Sequence, residues 1–466
     1  CWGLPLEYSF VQEFGKKGNT DGEFLYPACL TIDRYGSIYV TDWDNFRIVK
    51  FTREGVFSKN IEINESQRKK HGLKNKIKPI GVISTQHDQL YVTDYNNHCL
   101  LIFDLMGDLI KICGGFGKEN GKMQYPRGLG ADAQGNVFVA DYNNSRIQKF
   151  DRSGNFLLDI KTVVDKKSMQ PRSLALTESG EIWVVMSSAN LVVRMDQTGK
   201  VLKKIGKPGS GGGEFNEPRY IAVDVMGNLY VTDYNNHRVQ LFSAEGIYFG
   251  EFGTKGKARG EFDSPEGIWV DYNGNLLVVD ARNQRVQEFG APPLTNHKYL
   301  SVRFYNIGLR KEAFNETMSV LNIAPDDSDA LARVKELGIY LINEAIASND
   351  QKRGQEIFQG ISRFFPADSD IQALEKKLSP SSTFLGSGNN DDQGLKLPKN
   401  TSNMAIEVAS ALILIVIITL VVVISRKKGK VRRKKRKKPF DAETDEGPDP
   451  IDSDEDEEAD DNLPKS

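Results

Sequence analysis

The sequence predicts a mainly β protein: a six-bladed β-propeller, followed by a small α-helical segment and a single transmembrane helix. Three observations support this fold class. A motif recurs six times between residues 8 and 290, the periodicity becomes helical after residue 296, and an uncharged apolar run lies near residue 408. A chain of 466 residues also exceeds the size of one ordinary core, so several domains are expected.

The repeat becomes visible when the chain is aligned on proline. Successive copies begin 52, 47, 45, 47 and 47 residues apart. Each copy alternates as strand, Gly turn, strand, Asn turn and strand, as in GNLYVTDYNNHRVQLF, and a fourth strand follows in most copies. Four strands at this spacing are typical of a propeller blade, in which circular closure removes the free sheet edges. The copies begin at Pro27, Pro79, Pro126, Pro171, Pro218 and Pro265.

The sixth copy ends at Phe289 after only three strands, and its fourth strand is predicted at the other end of the chain. Residues 10–15, FVQEFG, match the fourth strand of the fifth copy, YFGEF at 248–252. We therefore expect residues 8–14 to complete the last blade and to hold the ring closed.

The copies resemble NHL repeats, whose hallmark is a proline, a Gly-Asn turn, V-[TA]-D and then N-x-R-[IV]-Q-x-F. The resemblance covers residues 8–290 and implies a six-bladed propeller. Two copies depart from it, with Cys99 in place of Arg in the second, and Met186 and Leu191 in place of Asp and Arg in the fourth. In the other four, an Arg fork is expected to bind the carboxylate and tie the turn, as scaffold. These pairs are Asp42/Arg47, Asp141/Arg146, Asp233/Arg238 and Asp280/Arg285.

A ligand site is predicted on one face of the ring, where the residue after each repeat proline is expected to point toward the mouth of the central channel. Three such residues on consecutive blades are Arg, next to a Glu. The arginines are expected to take carboxylate, phosphate or sulfate groups, or else to pair with neighbouring acids. The six residues are Ala28, Ile80, Arg127, Arg172, Arg219 and Glu266.

Aromatic residues in the second loop of this face form the other half of the predicted site. They are either stacking platforms for sugars or peptides, or caps on the blades. The loop before Pro79, NESQRKKHGLKNKIK, is longer than its counterparts and basic, so it either closes over a ligand or forms a solvated insertion. The aromatic residues are Trp43, Tyr95, Tyr142 and Tyr234.

Metal chemistry is not predicted. Enzymes on six-bladed propellers, such as gluconolactonase-like hydrolases and NHL-type lyases, need His or acidic ligands that converge on the channel. His98 and His237 occupy the same outer-turn position of the repeat and cannot meet on the axis. We therefore expect no catalytic residue, no metal and no cofactor. The first alternative is an extracytoplasmic, metal-dependent lyase or lactonase-like hydrolase.

Residues 296–378 show helical periodicity. Segments 308–330 and 349–371 align at an offset of 41 residues, each with an apolar stripe and a Pro-Asp start to the next helix. They resemble tetratricopeptide helix pairs, which implies packing against the propeller or binding of a partner peptide. Residues 379–403 are rich in Ser, Gly and Asn and are predicted to form a flexible linker.

Residues 404–425 are predicted to cross a membrane, because 408–424 carry no charge and a helix of that length spans a bilayer core of about 30 Å. Eleven Lys or Arg follow between 426 and 438, which places the tail 426–466 in the cytoplasm and the earlier domains outside the cell. This basic run is also expected to contact anionic lipid. Thirteen Asp or Glu between 441 and 461 predict a disordered end.

The predicted function is a binding one. Residues 1–290 contain 36 basic and 35 acidic residues, so a nucleic-acid partner is not expected. The sequence predicts a non-enzymatic, membrane-anchored surface protein that binds or scaffolds a glycan, peptide or protein ligand. One option is that it acts as an accessory to a transporter or other membrane complex. A ligand-sensing receptor is the second alternative.

Overall fold

The computed structural model describes residues 8–271 and 273–378. Within these ranges, six four-stranded antiparallel sheets form the blades of a propeller. The innermost strands contact one another in chain order, and the last of them returns to the first, which closes the ring. The six-bladed propeller predicted from the repeat is confirmed.

The blades follow one another along the chain. Blade 1 contains β2 (Pro27–Ile32), β3 (Ile38–Asp42), β4 (Arg47–Phe51) and β5 (Phe57–Ile61). Blade 2 contains β6 (Pro79–Ser84), β7 (Gln89–Asp94), β8 (Cys99–Asp104) and β9 (Leu109–Gly114). Blade 3 contains β10 (Pro126–Ala131), β11 (Val137–Asp141), β12 (Arg146–Phe150) and β13 (Phe156–Lys161). Blade 4 contains β16 (Ser173–Leu176), β17 (Ile182–Met186), β18 (Leu191–Met195) and β19 (Val201–Ile205). Blade 5 contains β20 (Pro218–Val223), β21 (Leu229–Asp233), β22 (Arg238–Phe242) and β23 (Tyr248–Phe252). Blade 6 contains β24 (Pro265–Val270), β25 (Leu276–Asp280), β26 (Arg285–Gly290) and β1 (Ser9–Phe14).

The ring is closed by the first strand of the chain, as the sequence predicts. Strand β1 pairs antiparallel with β26, with Phe10 opposite Phe289 and Phe14 opposite Val286. The side chain of Phe14 is buried and its ring centroid lies 4.8 Å from that of Phe51 in blade 1. The N-terminal strand therefore completes blade 6 and also packs on blade 1.

The hydrophobic core is divided among the interfaces between neighbouring blades. Between blades 6 and 1, Ile38 and Val40 of β3 pack in one cluster with Leu277 and Val279 of β25. Every residue of these two strands is buried, because both faces of each sheet are covered by the adjacent blades. The β-branched and aromatic residues of the repeat fit these double-sided interfaces.

The loops that lead into the blades fall into two groups. Before blades 1, 3, 5 and 6 the loop is closed by a single parallel β-bridge, such as Lys17 with Phe24. The loop before blade 4 instead contains the short hairpin of β14 (Val163–Val164) and β15 (Lys167–Ser168). The loop before blade 2 contains helix α1 (Glu65–His71), which begins at a capping box and ends at a left-handed glycine.

Within the described residues, five helices follow the propeller. Each helix packs against the next. Gly338 in the third helix lies close to Ile361 in the fourth, because a Cβ atom added at Gly338 would come within 2.9 Å of the Ile361 side chain. Tyr299 of the first is fully buried and its hydroxyl lies 3.4 Å from that of Tyr230 in blade 5, so this helix packs against the propeller. The likeness to tetratricopeptide pairs stays a prediction. The helices are α2 (Pro293–Asn306), α3 (Arg310–Ile323), α4 (Ser328–Ala347), α5 (Gln351–Ser362) and α6 (Ser369–Leu378).

Among the helices that the structure describes, none has both the length and the apolar composition needed to span a bilayer. The predicted linker 379–403, membrane span 404–425 and charged tail 426–466 all lie outside the described residues.

Candidate functional site

The Asp and Arg of the repeat lie together in all four blades that carry both. In blade 5, Arg238 Nε lies 2.9 Å from Asp233 Oδ2, and both side chains are buried. The corresponding distances are 3.2 Å for Arg47, 2.7 Å for Arg146 and 2.8 Å for Arg285. Burial raises the pKa of Asp233, and hydrogen bonds from the Asn216 N–H, Asn236 and Arg238 partly offset this.

The rest of each guanidinium binds the loop that leads into the same blade. Arg238 donates to the carbonyl oxygens of Ser210, Gly211 and Glu214 at 2.8 to 3.0 Å. Arg47, Arg146 and Arg285 donate to the equivalent carbonyls of their own loops. The repeat Arg therefore fixes a loop as well as a turn.

This second role accounts for the two blades that lack the Arg. Blade 2 has Cys99 and blade 4 has Leu191 at this position. The loop before blade 2 contains α1 and the loop before blade 4 contains the β14–β15 hairpin, and neither is closed by the parallel bridge found before the other blades. The two blades without the Arg are thus the same two that lack the bridged loop, whose carbonyls the Arg binds in the other four blades.

The residues after the repeat prolines meet near the ring axis. In five inner strands the pairing register shifts just after the proline, as between Pro126 and Leu129. Such a bulge re-aims the side chains within it. The Gly128 N–H donates to the Arg172 carbonyl at 2.9 Å, a close approach of blades 3 and 4 that leaves no room for a Cβ. Arg127 and Arg172 thus become neighbours.

Glu266 lies among the arginines. Its Oε1 is 3.4 Å from Arg172 Nη2 and 3.7 Å from Arg219 Nη1, and it accepts a hydrogen bond from the Tyr26 hydroxyl at 3.1 Å. Arg172 and Glu266 belong to blades 4 and 6, which are not neighbours, so they can meet only near the axis. Arg219 also pairs with Glu217 at 2.5 Å. Tyr26 and Glu217, each preceding a repeat proline, were not predicted from the sequence.

Arg127 differs from the other two arginines because no carboxylate among the described residues pairs with it, whereas Arg172 and Arg219 both face Glu266. Its guanidinium carbon lies 4.2 Å from the ring centre of Tyr142 and 5.7 Å from that of Tyr95. The side chain is 8% exposed, and its Nε has no hydrogen-bond partner among the described residues. Burial, followed by the charge of Arg172, lowers the pKa of Arg127 to about 10, so the group remains a cation at neutral pH. A buried cation held only by aromatic faces is a strong anchor for an anion.

The opposite side of the cluster is balanced by acids. Burial alone would lower the pKa of Arg219, but the carboxylates of Glu266 and Glu217 outweigh it and raise that pKa. The Nε atoms of Arg172 and Arg219 and the Oε2 atom of Glu266 have no hydrogen-bond partner within the described residues. Three cations and two carboxylates therefore share one site, with the unbalanced charge on the side of Arg127 and Arg172.

The aromatic residues divide into exposed and buried ones. Trp43, Tyr95 and Tyr142 are half-buried on this face, and the rings of Trp43 and Tyr95 lie 4.9 Å apart. Of the two alternatives considered for these residues, Tyr234 fits a cap on its blade and not a stacking platform. Its side chain is buried beneath Arg219, whose guanidinium carbon lies 4.1 Å from the ring centre.

The histidines of the repeat serve the turns. The Nδ1 atoms of His98 and His237 each accept a backbone N–H at 3.1 Å, from Tyr125 and Ser264 respectively. Across residues 8–271 and 273–378, no group of three His, Cys, Asp or Glu side chains is placed to hold a metal ion.

Comparison with known proteins gives matches to the propeller. The model of the family described as "NHL repeat" matches residues 24–51, 78–103, 123–150 and 215–242. Protein brain tumor of Drosophila melanogaster is 26% identical over 145 residues, which is 31% of this chain and 13% of that protein. Human E3 ubiquitin-protein ligase TRIM32 is 24% identical over 152 residues, 30% of this chain and 21% of the ligase.

The matched region thus spans under a quarter of each of these relatives. Among solved structures, a streptogramin B lyase is 14% identical with a TM-score of 0.43, over 60% of this chain and 97% of that chain. The four matched segments lie in blades 1, 2, 3 and 5, together with loop residues that precede them. The chain carries NHL repeats in four of the six blades of its β-propeller.

Proposed function

We propose that this protein is a non-catalytic binding protein whose propeller holds a carboxylate group of a peptide or protein ligand at the channel mouth. The observation that carries the proposal is Arg127, a buried cation with an unpartnered Nε, next to Arg172. A ligand carboxylate would neutralise this side of the cluster, as Glu266 and Glu217 neutralise the side of Arg219.

A carboxylate is favoured over larger anions by the composition of the site. Glu266 and Glu217 lie among the arginines and would repel a multiply charged phosphate or sulfate group more strongly than a single carboxylate. The half-buried rings of Trp43, Tyr95 and Tyr142 provide apolar surface beside the cations, which suits a peptide. A glycan that bears a carboxylate would use the same contacts.

The proposal extends to the rest of the chain. The apolar run at 404–425 and the basic run after it support a single-pass membrane anchor with the propeller outside the cell. The helices α3 to α6 would then serve as a short tetratricopeptide-like array between ring and anchor. Their packing against one another and the contact of α2 with blade 5 support a rigid platform for the binding face.

The test uses the full-length chain in detergent and the acetylated, amidated triglutamate peptide as probe. Isothermal titration at low salt should show binding that weakens at least tenfold in R127A, because a charge-assisted contact is lost. The matched control is R34A, which removes an Arg whose ion pair with Asp88 is largely exposed and distant from the site. Equal affinity of R127A and the unmodified chain would contradict the proposal, and stoichiometric zinc in the purified protein would overturn its non-catalytic part.

A further inference from the structure

We propose that the ligand is an extended acidic peptide that carries an apolar residue, and that it runs outward from Arg127 into a cleft beside helix α1. This inference rests on the proposed function and adds a second contact region to it. The cleft has a volume of about 320 Å³ and lies between the second loop of blade 1 and the loop before blade 2. Its lining includes Phe46, Ile63, Arg68, Lys76 and Ile77.

A series of cationic and aromatic side chains leads from the channel mouth to the second loop of blade 1, which lines this cleft. Arg127 contacts Tyr95, and the Tyr95 ring lies 4.9 Å from that of Trp43. The ammonium group of Lys78 lies 4.3 Å from the Trp43 ring centre, and it also faces Asp44 at 3.8 Å. These residues belong to blades 3, 2 and 1 or the loops that lead into them, so the series runs from blade to blade around the face. It ends in the loop that contains Phe46, whose N–H donates to the Trp43 carbonyl at 3.4 Å.

The position of Phe46 is the second, independent observation. Its backbone has φ of 59°, a left-handed conformation that bulky residues rarely adopt. The other five blades place a polar residue at this left-handed position: His98, Ser145, Asn190, His237 and Gln284. Among the described blades, only blade 1 has an apolar side chain there, half-buried, with the Lys76 ammonium 5.2 Å from its ring centre. Strain of this kind is concentrated at functional sites.

The loop that forms the other wall is held in place. Asn75 donates to the side chain of Asn97 at 3.0 Å and to the carbonyl of Asn96 at 3.1 Å, both in the second loop of blade 2. Helix α1 is fixed at its start by the capping box of Asn64 and Gln67. These bonds order the loop on this face, although α1 itself buries no residue.

Charge selects the class of ligand. Residues 62–78 contain six Lys or Arg and two Glu. Glu62 and Glu65 line the cleft together with Arg68 and Lys76, so the cleft lining itself is balanced in charge. The excess of positive charge lies in the rest of this loop, around the cleft. A peptide with spaced carboxylates and an apolar side chain fits this mixture better than RNA, whose phosphates repeat along every nucleotide and would meet both Glu side chains.

The test compares how two peptides bind the chain of 466 residues. One is triglutamate, and the other is a fluorescein-labelled twelve-residue peptide in which Glu alternates with Gly and one Leu lies at position nine. Fluorescence anisotropy should show that F46N and K76A each lower the affinity for the twelve-residue peptide at least fivefold. Neither variant should change binding of triglutamate. Since Asn tolerates the left-handed conformation, F46N should melt at the same temperature as the unmodified chain or higher, which separates lost contact from lost folding.

The outcomes are distinguishable. If R127A abolishes binding of triglutamate while F46N and K76A bind the twelve-residue peptide normally, the extension into the cleft is wrong and the carboxylate site stands. If neither peptide binds the unmodified chain, the proposed function itself fails. If a single-stranded twelve-nucleotide RNA binds more tightly than the peptide and is sensitive to K76A, the partner is RNA and the inference is overturned.

Discussion

At the scale of single residues, the structure separates two kinds of arginine. Four of them are paired with Asp and bound to loop carbonyls, so they are part of the scaffold; three of the four are buried and Arg285 is partly buried. These four are Arg47, Arg146, Arg238 and Arg285. Arg127 has aromatic neighbours and an unpartnered Nε, so it is suited to a ligand. The sequence distinguishes these two kinds by repeat position, because the scaffold Arg follows its Asp by five residues.

The scaffold role predicts a large loss of stability when one partner is removed. R238A should lower the free energy of unfolding by about 3 kcal/mol or more, because Asp233 is left as a buried charge and three carbonyls lose a donor. Chemical denaturation followed by tryptophan fluorescence measures the change.

The control for this prediction is R34A. Arg34 and Asp88 form an exposed pair, and such pairs contribute about 0 to 1 kcal/mol. A loss of stability in R238A no larger than that in R34A would show that the repeat ion pairs are dispensable.

Burial is what the sequence could not supply at this scale. Tyr234 and Tyr142 occupy the same repeat position, yet Tyr234 lies buried under Arg219 and Tyr142 remains half-exposed under Arg127. The difference depends on contacts from another blade and its loop, since Tyr26 reaches the Tyr234 hydroxyl at 3.5 Å. No pattern within one repeat carries that information.

At the scale of elements, the loops before the blades decide where the repeat is irregular. The sequence shows that Cys99 and Leu191 depart from the repeat and that the loop before Pro79 is long and basic. It does not show that these facts are connected, because the connection is a set of hydrogen bonds from Arg to loop carbonyls in the other blades. The elements themselves were predictable from period and turn residues, and helix α1 was not.

Strand β1 is the element on which ring closure depends. Deleting residues 8–14 in the full-length chain should lower the melting temperature by well over 5 °C, because blade 6 loses its outer strand and the buried Phe14 leaves the core between blades 6 and 1. Differential scanning calorimetry measures this shift. Deleting residues 1–7 is the matched control, and similar melting temperatures for both deletions would contradict the account.

At the scale of the whole molecule, most of the architecture followed from the number of repeat copies in the sequence. Six proline-initiated copies, with a spare strand at 8–14, predicted both the number of blades and the way in which the ring closes. Circular closure is predictable because each blade must cover its neighbours and no edge can remain open. The contact of Tyr299 in α2 with Tyr230 of blade 5 was not predictable, since the helical pattern does not say which face of the ring it meets.

The candidate site emerges only at this scale, because it joins residues from all six blades or their loops. Positions 127, 172, 219 and 266 were predicted to meet at the mouth, and the structure brings these side chains together. The sequence left open whether the arginines bind a ligand or neighbouring acids. In the structure Arg172 and Arg219 face Glu266, and Arg127 has only aromatic faces and a neighbouring Arg as its close partners among those described.

Whether Arg127 holds a ligand carboxylate can be measured with a double-mutant cycle. Triglutamate and triglutamine peptides are titrated by calorimetry against the unmodified full-length chain and against R127Q. We expect the unmodified chain to bind triglutamate about tenfold or more tightly than triglutamine. R127Q should lose most of this preference, since a hydrogen bond between charged groups contributes about 1.5 to 3 kcal/mol. The same preference for triglutamate in both proteins would contradict this role of Arg127.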